Sequence, residues 1–366
     1  MNFGVLNLLS YVPELDGSPA DVLHGLVEDA GLCEELGYDA FWLTEHHFEN
    51  FGGLLSAPAL IMSAISQRTA RMRLGIGVSL LPLHHPLTMA EEWATVDVLS
   101  NGRLELGIGM GFSPWEYGNF GVELDGALER LDETLAIMLR AWQGGRFDHH
   151  GKSFSWQGLQ VLPAPIQRPH PPVWAAAVKT DSSYTWAGSH GCHLMTAPFL
   201  ADAAKLPDNI RAYWQSLANA GHTTDGKQVL ANLQVCVAPT REEAFATASA
   251  SFARTNAVRR EAIMRGTNRD GAVPTASRIA GIDQAAVADL VRAGKMVVGT
   301  PTDCAEVLRR LNDELGIDLF LGTFHFGGMV KEKVHQSLRL FMQEVAPRVR
   351  GLSPVRVSSA AAPARA

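Results

Sequence analysis

The chain has 366 residues, of which 46% are hydrophobic and 19% charged, and its formal net charge is −7 with the two signs interspersed. This composition supports a large buried core, and it offers neither a basic patch for nucleic acid nor an apolar run long enough to span a membrane. The 4 cysteines contain no C-x-x-C pair, which argues against a disulfide framework and a thiolate metal site. The amino terminus lacks the basic leader of a signal peptide. We therefore expect a cytoplasmic protein without nucleic-acid or membrane partners.

Short apolar runs alternate with helical patterns along the chain. An apolar run without polar alternation is typical of a strand that is buried on both faces of a parallel sheet. Such runs predict strands at 3–9, 41–48, 72–81, 103–107, 173–178, 193–196, 230–238 and 318–325. Helical spacing and capping signals predict helices at 21–36, 57–66, 86–99, 127–143, 181–189, 203–220, from 240 onwards, 301–315 and 330–345.

The alternation of strands and helices predicts a (β/α)8 barrel of the α/β class, in preference to a doubly wound sheet. Residues 147–162 read as a small inserted hairpin, and residues 266–298 as an insertion before the last strand. Length alone would also allow two domains, but no boundary is visible, so we expect a single domain over residues 1–350 and a disordered tail over 351–366. In such a barrel the carboxyl ends of all strands meet at one mouth, where active sites lie.

The second predicted strand ends in three polar side chains, Glu45, His46 and His47. Polar groups at the end of a buried strand are costly unless they are solvated, paired or used, so they mark either a site or core histidines with satisfied hydrogen bonds. Adjacent strand residues point to opposite faces, and no third ligand stands at a recognisable spacing. We therefore predict no metal site here, and we interpret His84 and His85 as loop residues.

A glycine-rich segment, Gly107 to Gly111, follows the fourth predicted strand. A dinucleotide-binding fingerprint requires a helix that begins directly at the glycines, whereas loops are predicted here at 113–126. The glycines either relieve crowding at the rim or permit the close approach of a flat or phosphorylated ligand. Asp181 to Ser183, at the start of a predicted helix, is either an ordinary cap or a phosphate-binding segment.

Several of these motifs carry a family resemblance that extends from residue 1 to about residue 350. They are Phe3-Gly4, Leu8-Leu9-Ser10-Tyr11, Trp42-Leu43-x-Glu45-His46-His47-Phe48, Leu81-Pro82, His85-Pro86, Ser100-x-Gly102-Arg103 with Gly107, Gly299-Thr300-Pro301 and Phe324-His325-Phe326-Gly327-Gly328. Together they resemble the bacterial luciferase-like, flavin-dependent monooxygenases. The resemblance implies a (β/α)8 barrel with an insertion before its last strand, and usually a dimer. It also implies reduced FMN supplied by a separate NAD(P)H-dependent flavin reductase, O2 as co-substrate, and a C4a-peroxyflavin intermediate.

The resemblance also assigns roles to individual residues. His46 matches the family's general base, a role suited to an imidazole because its pKa lies near working pH, and Glu45 and His47 shape the same pocket. Gly77 and Val78 match a non-prolyl cis peptide beneath the flavin ring. The remaining flavin and phosphate positions are Gly109, Met110, Arg130, Val178, Lys179, Ser182 and Ser183.

Two of these positions depart from the luciferase pattern. Gly109 replaces a reactive cysteine, which puts light emission in doubt. Met110 replaces an arginine that contacts the phosphate, so the charge of the phosphate must be met elsewhere, by Arg130 or Lys179.

The expected function is therefore that of a two-component FMNH2-dependent monooxygenase acting on a hydrophobic aldehyde, ketone or biosynthetic intermediate. Five aromatic residues are expected either to form the walls of its pocket or to be plain core: Trp42, Phe48, Phe112, Trp115 and Trp174. One alternative is an F420-dependent oxidoreductase on the same barrel. Another is a non-catalytic flavin-binding homologue, although such proteins tend to be truncated and to lack the Glu-His-His run.

Overall fold

A computed structural model describes residues 1–267 and 284–354. The predicted tail therefore lies largely outside the described residues, as does the part of the predicted insertion at 268–283. The strands are β1 (Asn2–Asn7), β2 (Ala40–Leu43), β3 (Arg73–Leu80), β4 (Leu104–Gly109), β5 (Phe147–His150), β6 (Ser155–Leu159), β7 (Val173–Ala176), β8 (His193–Thr196), β9 (Val229–Val237), β10 (Val297–Gly299) and β11 (Leu319–Thr323).

The helices lie between the strands, and several begin at a proline, which is well suited to the first turn because it needs no hydrogen-bond acceptor there. They are α1 (Pro13–Asp16), α2 (Pro19–Leu36), α3 (Pro58–Arg68), α4 (Pro86–Leu99), α5 (Pro114–Phe120), α6 (Ala127–Trp142), α7 (Asp181–Ser189), α8 (Leu206–Asn219), α9 (Arg241–Thr267), α10 (Gln284–Arg292), α11 (Pro301–Leu315), α12 (Lys331–Leu340) and α13 (Ala346–Val349). None of the helices within the described ranges is long and apolar enough to cross a membrane.

Eight parallel strands close into a ring in the order β1, β2, β3, β4, β7, β8, β9, β11 and back to β1. This is the predicted (β/α)8 barrel, and each ring strand overlaps a predicted apolar run. β5 and β6 form the predicted hairpin outside the ring. β10, within the predicted insertion, adds parallel to the end of β9. The ring brings the carboxyl ends of β2, β3, β4 and β7 to one mouth.

Two local predictions at this mouth were wrong. β2 ends at Leu43 rather than at residue 48, because the amide of Thr44 makes the last bond to β1 and the next polar side chains take partners outside the sheet. A helix, α5, occupies residues predicted as loop. Ser113 caps this helix by accepting a hydrogen bond from the amide of Glu116 at 3.3 Å, and Pro114 stands at its first position.

The interior of the barrel is filled by its own side chains. Trp42 and Trp174 are fully buried there and meet edge to face, with ring centroids 5.7 Å apart. The indole N–H of Trp174 donates to Glu105 at 2.6 Å. The prediction that these two tryptophans form walls of a substrate pocket was wrong, because both point into the packed barrel core. A second and larger apolar cluster lies between the strands and the helices.

The longest helix, α9, spans 27 residues and packs against α5 near the mouth. Its Arg254 donates to the carbonyl of Gly327, which fixes the helix to the loop after β11. One turn further on, Arg259 lies beside the end of β2 and the start of α5. This helix therefore adds side chains to the mouth from outside the strand ends.

Candidate active site

His46 lies in the loop directly after β2. Its ring atom Nδ1 is 3.3 Å from Oε1 of Glu116, and its side chain keeps 17% of its surface exposed. Gly52 makes room for the ring: a Cβ atom there would lie 2.6 Å from Cδ2 of His46, and the φ of +81° is one that other residues rarely adopt. The imidazole is thus paired with a carboxylate on one side and open on the other.

Glu116 is the acidic partner of His46, and it is almost fully buried, with 3% of its side-chain surface exposed. The same oxygen that faces His46 also accepts a hydrogen bond from the backbone amide of His47 at 2.8 Å. α5 holds this carboxylate in place, because Ser113 caps its first turn and the hydroxyl of Tyr117 donates to the carbonyl of Met110 at 2.6 Å. Sequence reasoning missed Glu116, although the Ser113-Pro114 capping signal could have revealed the helix that carries it.

Glu45 and His47 belong to a different network from His46. Nε2 of His47 and Nε2 of His84 both contact Oε1 of Glu45, the former at 3.0 Å, and the amide of Leu80 donates to Oε2 at 3.0 Å. Burial opposes ionisation of Glu45, but these hydrogen bonds and the nearby His84 outweigh it and lower the pKa of Glu45 to about 2. His84 lies in the loop before α4, as predicted, but it is bound to the buried carboxylate, which the sequence did not indicate.

This second network also has the composition of a metal site. The ligand atoms of Glu45, His47 and His84 all lie within 4.8 Å of one another. His46 is not part of this cluster, so the two adjacent histidines do not share it, as predicted, but His84 is a potential ligand that no spacing in the sequence indicated. Two imidazoles and a backbone amide already satisfy the carboxylate of Glu45, so the network does not require a cation. That this protein binds no metal here stays a prediction.

A cavity of about 490 Å³ opens beside the ends of β4 and β7. Gly109, Met110, Ser182 and Ser183, all predicted as cofactor-binding residues, line it together. Further hydroxyl groups come from Thr180 just before α7, from α7 itself and from Ser216 of α8, and no lysine or arginine is found among the described residues of its wall. These hydroxyls and the exposed N–H groups at the start of α7 form a neutral lining suited to a phosphate group.

Five predicted cofactor residues do not line this cavity: Gly77, Val78, Arg130, Val178 and Lys179. Arg130 donates from Nε to the carbonyl of Pro82 at 2.7 Å, and its guanidinium carbon lies 4.9 Å from the ring centroid of Phe154. Val178 is half-buried and Lys179 is exposed in the connection between β7 and α7. Neither Arg130 nor Lys179 therefore places a positive charge in the wall of this cavity, where Met110 stands in place of the arginine.

The peptide bond between Gly77 and Val78 is cis, as the resemblance implied. Val78 is only half-buried, and it lies against Gly109 on the neighbouring strand. A Cβ atom at Gly109 would come within 2.7 Å of Cγ2 of Val78. A cysteine at position 109 would therefore press on Val78 unless that side chain shifted.

A smaller cavity of about 100 Å³ adjoins the other side of the mouth. Its wall combines the His46–Glu116 pair with the rings of Phe51 and Phe112 and with Arg259 of α9. Phe112 is the one predicted aromatic wall residue among the described residues that line it. The remaining lining residues are Glu49, Ser113, Pro114, Ala262 and Ile263.

Comparisons with known proteins agree with this geometry. Residues 1–319 match the model of a family described as luciferase-like monooxygenase. The oxygenase component of a flavin-dependent trigonelline monooxygenase from Acinetobacter baylyi is 32% identical over 47% of this chain and 48% of its own length. A 4-hydroxyprotoasukamycin monooxygenase from Streptomyces nodosus is 27% identical over 90% of each chain. The matches to three curated relatives, the trigonelline enzyme included, span 65%, 48% and 48% of each relative's length.

Solved structures show the same fold. Monooxygenase RslO1 from Streptomyces bottropensis superposes with a TM-score of 0.84 at 25% identity, covering 95% of this chain and 99% of that one. The oxygenating constituent of 3,6-diketocamphane monooxygenase from Pseudomonas putida, solved with FMN, gives 0.79 at 22% identity over 97% and 99%. An F420-dependent secondary alcohol dehydrogenase gives 0.72 at 18% over 95% and 99%. From the extent of the family match, this chain belongs to the luciferase-like monooxygenase family.

Proposed function

We propose that this chain is the oxygenase component of a two-component monooxygenase, which uses FMNH2 and O2 to oxygenate a small organic substrate with a hydrophobic body. The observation that carries the proposal is the His46–Glu116 pair, a buried carboxylate against a partly exposed imidazole at the barrel mouth. General acid–base work needs such a pair, because the carboxylate orients the ring and fixes its tautomer.

The residues of the mouth fit a reduced flavin. Gly109 and Met110 would border it at the end of β4, Gly77 and Val78 would lie beside it on β3, and hydroxyls at the start of α7 would bind its phosphate. The cavity of about 490 Å³ is within the usual size range of ligand pockets. When bound, reduced FMN supplies the electrons that activate O2.

His46 would handle the proton of the reaction. Glu116 would accept a hydrogen bond from Nδ1 of His46, and Nε2 would then be the nitrogen that takes up a proton. The rings of Phe51 and Phe112 flank the imidazole, with ring centroids 5.5 and 6.1 Å from it. These rings would keep water away from the reacting groups, so that O2 chemistry proceeds on the organic substrate rather than ending in hydrogen peroxide.

The proposal includes two partners. A separate NAD(P)H-dependent flavin reductase supplies FMNH2, in line with a relative that is named an oxygenase component. A second copy of the chain forms a homodimer, as the family resemblance implies. Light scattering coupled to gel filtration tests the dimer, and a mass of a single chain at micromolar concentration would contradict it.

Cofactor choice is tested by anaerobic titration of the protein with reduced FMN and, in parallel, with reduced F420. Each complex is then mixed with isotopically labelled O2 and a panel of aldehydes, ketones and aromatic acids. We expect tight binding of reduced FMN and labelled oxygen in a product. Binding of reduced F420 alone, with hydride transfer and no labelled product, would establish the alternative oxidoreductase.

The role of His46 is tested by His46→Ala, with His150→Ala on the exposed hairpin as the matched control. We expect the first variant to lose product formation by about 10²-fold or more, the usual contribution of a positioned acid–base group, while still binding reduced FMN. Unchanged single-turnover product formation in His46→Ala would show that another group moves the proton.

A further inference from the structure

The wall of the small cavity beside His46 includes the arginine side chain of Arg259, and one of its N–H donors has no hydrogen-bond partner among the described residues. This donor, Nε, is buried. Its guanidinium carbon lies 5.8 Å from the ring centroid of Phe199, which holds the flat group in one orientation. Burial lowers the pKa of Arg259, but an arginine remains charged at neutral pH. A buried guanidinium N–H without an acceptor is costly, so this donor calls for a function.

The carboxylates around the cavity do not satisfy this donor. Glu116 is used by His46 and by the amide of His47. Glu49 lines the cavity as well, and it takes part in an interaction of its own. By contrast, Arg254, on the same helix, donates to the carbonyl of Gly327. Among the described residues of the cavity wall, Arg259 is therefore the one arginine or lysine side chain, and its Nε lacks an acceptor.

The shape of the cavity limits what that acceptor can be. About 100 Å³ has room for one functional group and part of a ring, not for a whole cofactor. The rings of Phe51 and Phe112 form apolar walls on which a flat substrate would pack. The hydroxyl-lined cavity at the start of α7, proposed above for the flavin phosphate, shares no lining residue with this one. The acceptor thus belongs to the organic substrate rather than to the cofactor.

We propose that Arg259 binds a carboxylate of the organic substrate, and that the substrate is a flat carboxylic acid whose reacting carbon lies between Arg259 and His46. This inference rests on the proposed function, and it narrows the substrate class from small molecules with a hydrophobic body to those that also carry a carboxylate. A planar guanidinium matches a carboxylate with two parallel hydrogen bonds, which are among the strongest that proteins make. Arg259 is a specificity-determining residue in this assignment, distinct from the acid–base pair.

The test measures binding of simple probes to the full chain without flavin, by ligand-observed NMR at constant ionic strength. Acetate and benzoate are the anionic probes, and acetamide and benzamide are their neutral counterparts of the same shape. Arg259→Gln is compared with Arg260→Gln, which makes the same charge change at the next, exposed position of α9. We expect benzoate to bind the native chain at least tenfold more tightly than benzamide. The preference should vanish in Arg259→Gln, persist in Arg260→Gln, and partly persist in Arg259→Lys.

Equal affinity for the anionic and neutral probes in the native chain, including no detectable binding of either, overturns the inference. So does a preference that survives in Arg259→Gln. The result is separable from the proposed function, because reduced FMN is titrated against the same variants. Loss of the preference for benzoate in Arg259→Gln, with binding of reduced FMN unchanged, supports the inference. A native chain that prefers benzoate but does not bind reduced FMN would contradict the proposed function and leave the inference standing.

Discussion

The buried carboxylate of Glu45 gives a prediction about stability as a function of pH. Glu45→Gln removes the negative charge that His47 and His84 share. A pKa of about 2, against an ordinary value of 4.5, corresponds to roughly 3 kcal/mol of folding free energy at neutral pH, at about 1.4 kcal/mol per unit. We expect the variant to lose a stabilisation of this order, because glutamine keeps one acceptor but turns an amide donor towards groups that donate.

The pH dependence has two limbs of opposite sign. The pKa of Glu45 is lower in the folded chain than in the unfolded chain. Its contribution to folding stability is therefore present above pH 4.5 and is lost as the pH falls through the folded pKa of about 2. Burial disfavours the charged form of His84, but its hydrogen bond to Glu45 outweighs this and raises its pKa. The contribution of His84 to folding stability is therefore complete below pH 6.5, and it is lost as the pH rises through the folded pKa of His84. The stability difference between native chain and variant should be largest between these limits.

Urea unfolding followed by circular dichroism measures this difference at about pH 3, 5.5 and 9, after reversibility is established. Glu91→Gln, which removes an exposed carboxylate near the same histidine, is the control and should show a small, flat difference. A difference for Glu45→Gln that does not change across the three conditions would refute the assignment of Glu45 as the ionised centre of this network.

Three further predictions concern the site and the barrel. Glu116→Gln should lower single-turnover product formation about tenfold, since it removes the carboxylate beside His46 but keeps a hydrogen-bond acceptor, and Glu116→Ala should lower it further. Equal rates in the native chain and these two variants would contradict the pairing of Glu116 with His46. Met110→Arg should tighten reduced FMN binding about tenfold or more in an anaerobic titration, because the hydroxyl-lined cavity lacks a described cation, whereas Met110→Leu should not. Gly75→Ala should cost about 1–3 kcal/mol in urea unfolding, because its Cβ would overlap the buried indole 2.1 Å away. Gly118→Ala in α5, with no described neighbour within 4 Å, should be neutral or slightly stabilising, and similar losses in the two variants would contradict this account.

Much of the barrel could be predicted because its strands are buried on both faces and read as uninterrupted apolar runs. The same rule located the mouth, and it predicted that Gly109 and Ser182 lie at it together. The rule failed at the end of β2, where apolar Phe48 extended the predicted strand although the chain had already left the sheet at Leu43. Strand ends are decided by where the polar groups find partners, and local composition does not contain that information.

The partners of the predicted histidines could not be read from the chain. Glu116 lies 70 positions from His46, and His84 lies 39 positions from Glu45. No periodicity links residues so far apart, since their meeting depends on how two loops fold over the mouth. The role of Arg130 at the phosphate stays a prediction: the resemblance suggested it, but only the fold shows that its Nε donates to the carbonyl of Pro82 and that it does not line the hydroxyl-lined cavity.

The three side chains around the small cavity come from three separate elements: His46 from the loop after β2, Glu116 from α5 and Arg259 from α9. Under the proposed assignments, the proton-handling pair and the anchor for the substrate share no backbone segment. Substitutions in α9 away from the cavity should then combine additively with those in α5, whereas Arg259 and Glu116 line the same cavity and should show coupling. Substrate preference could thus diverge within this family by changes in one helix outside the strands, at little cost to the acid–base chemistry of the mouth.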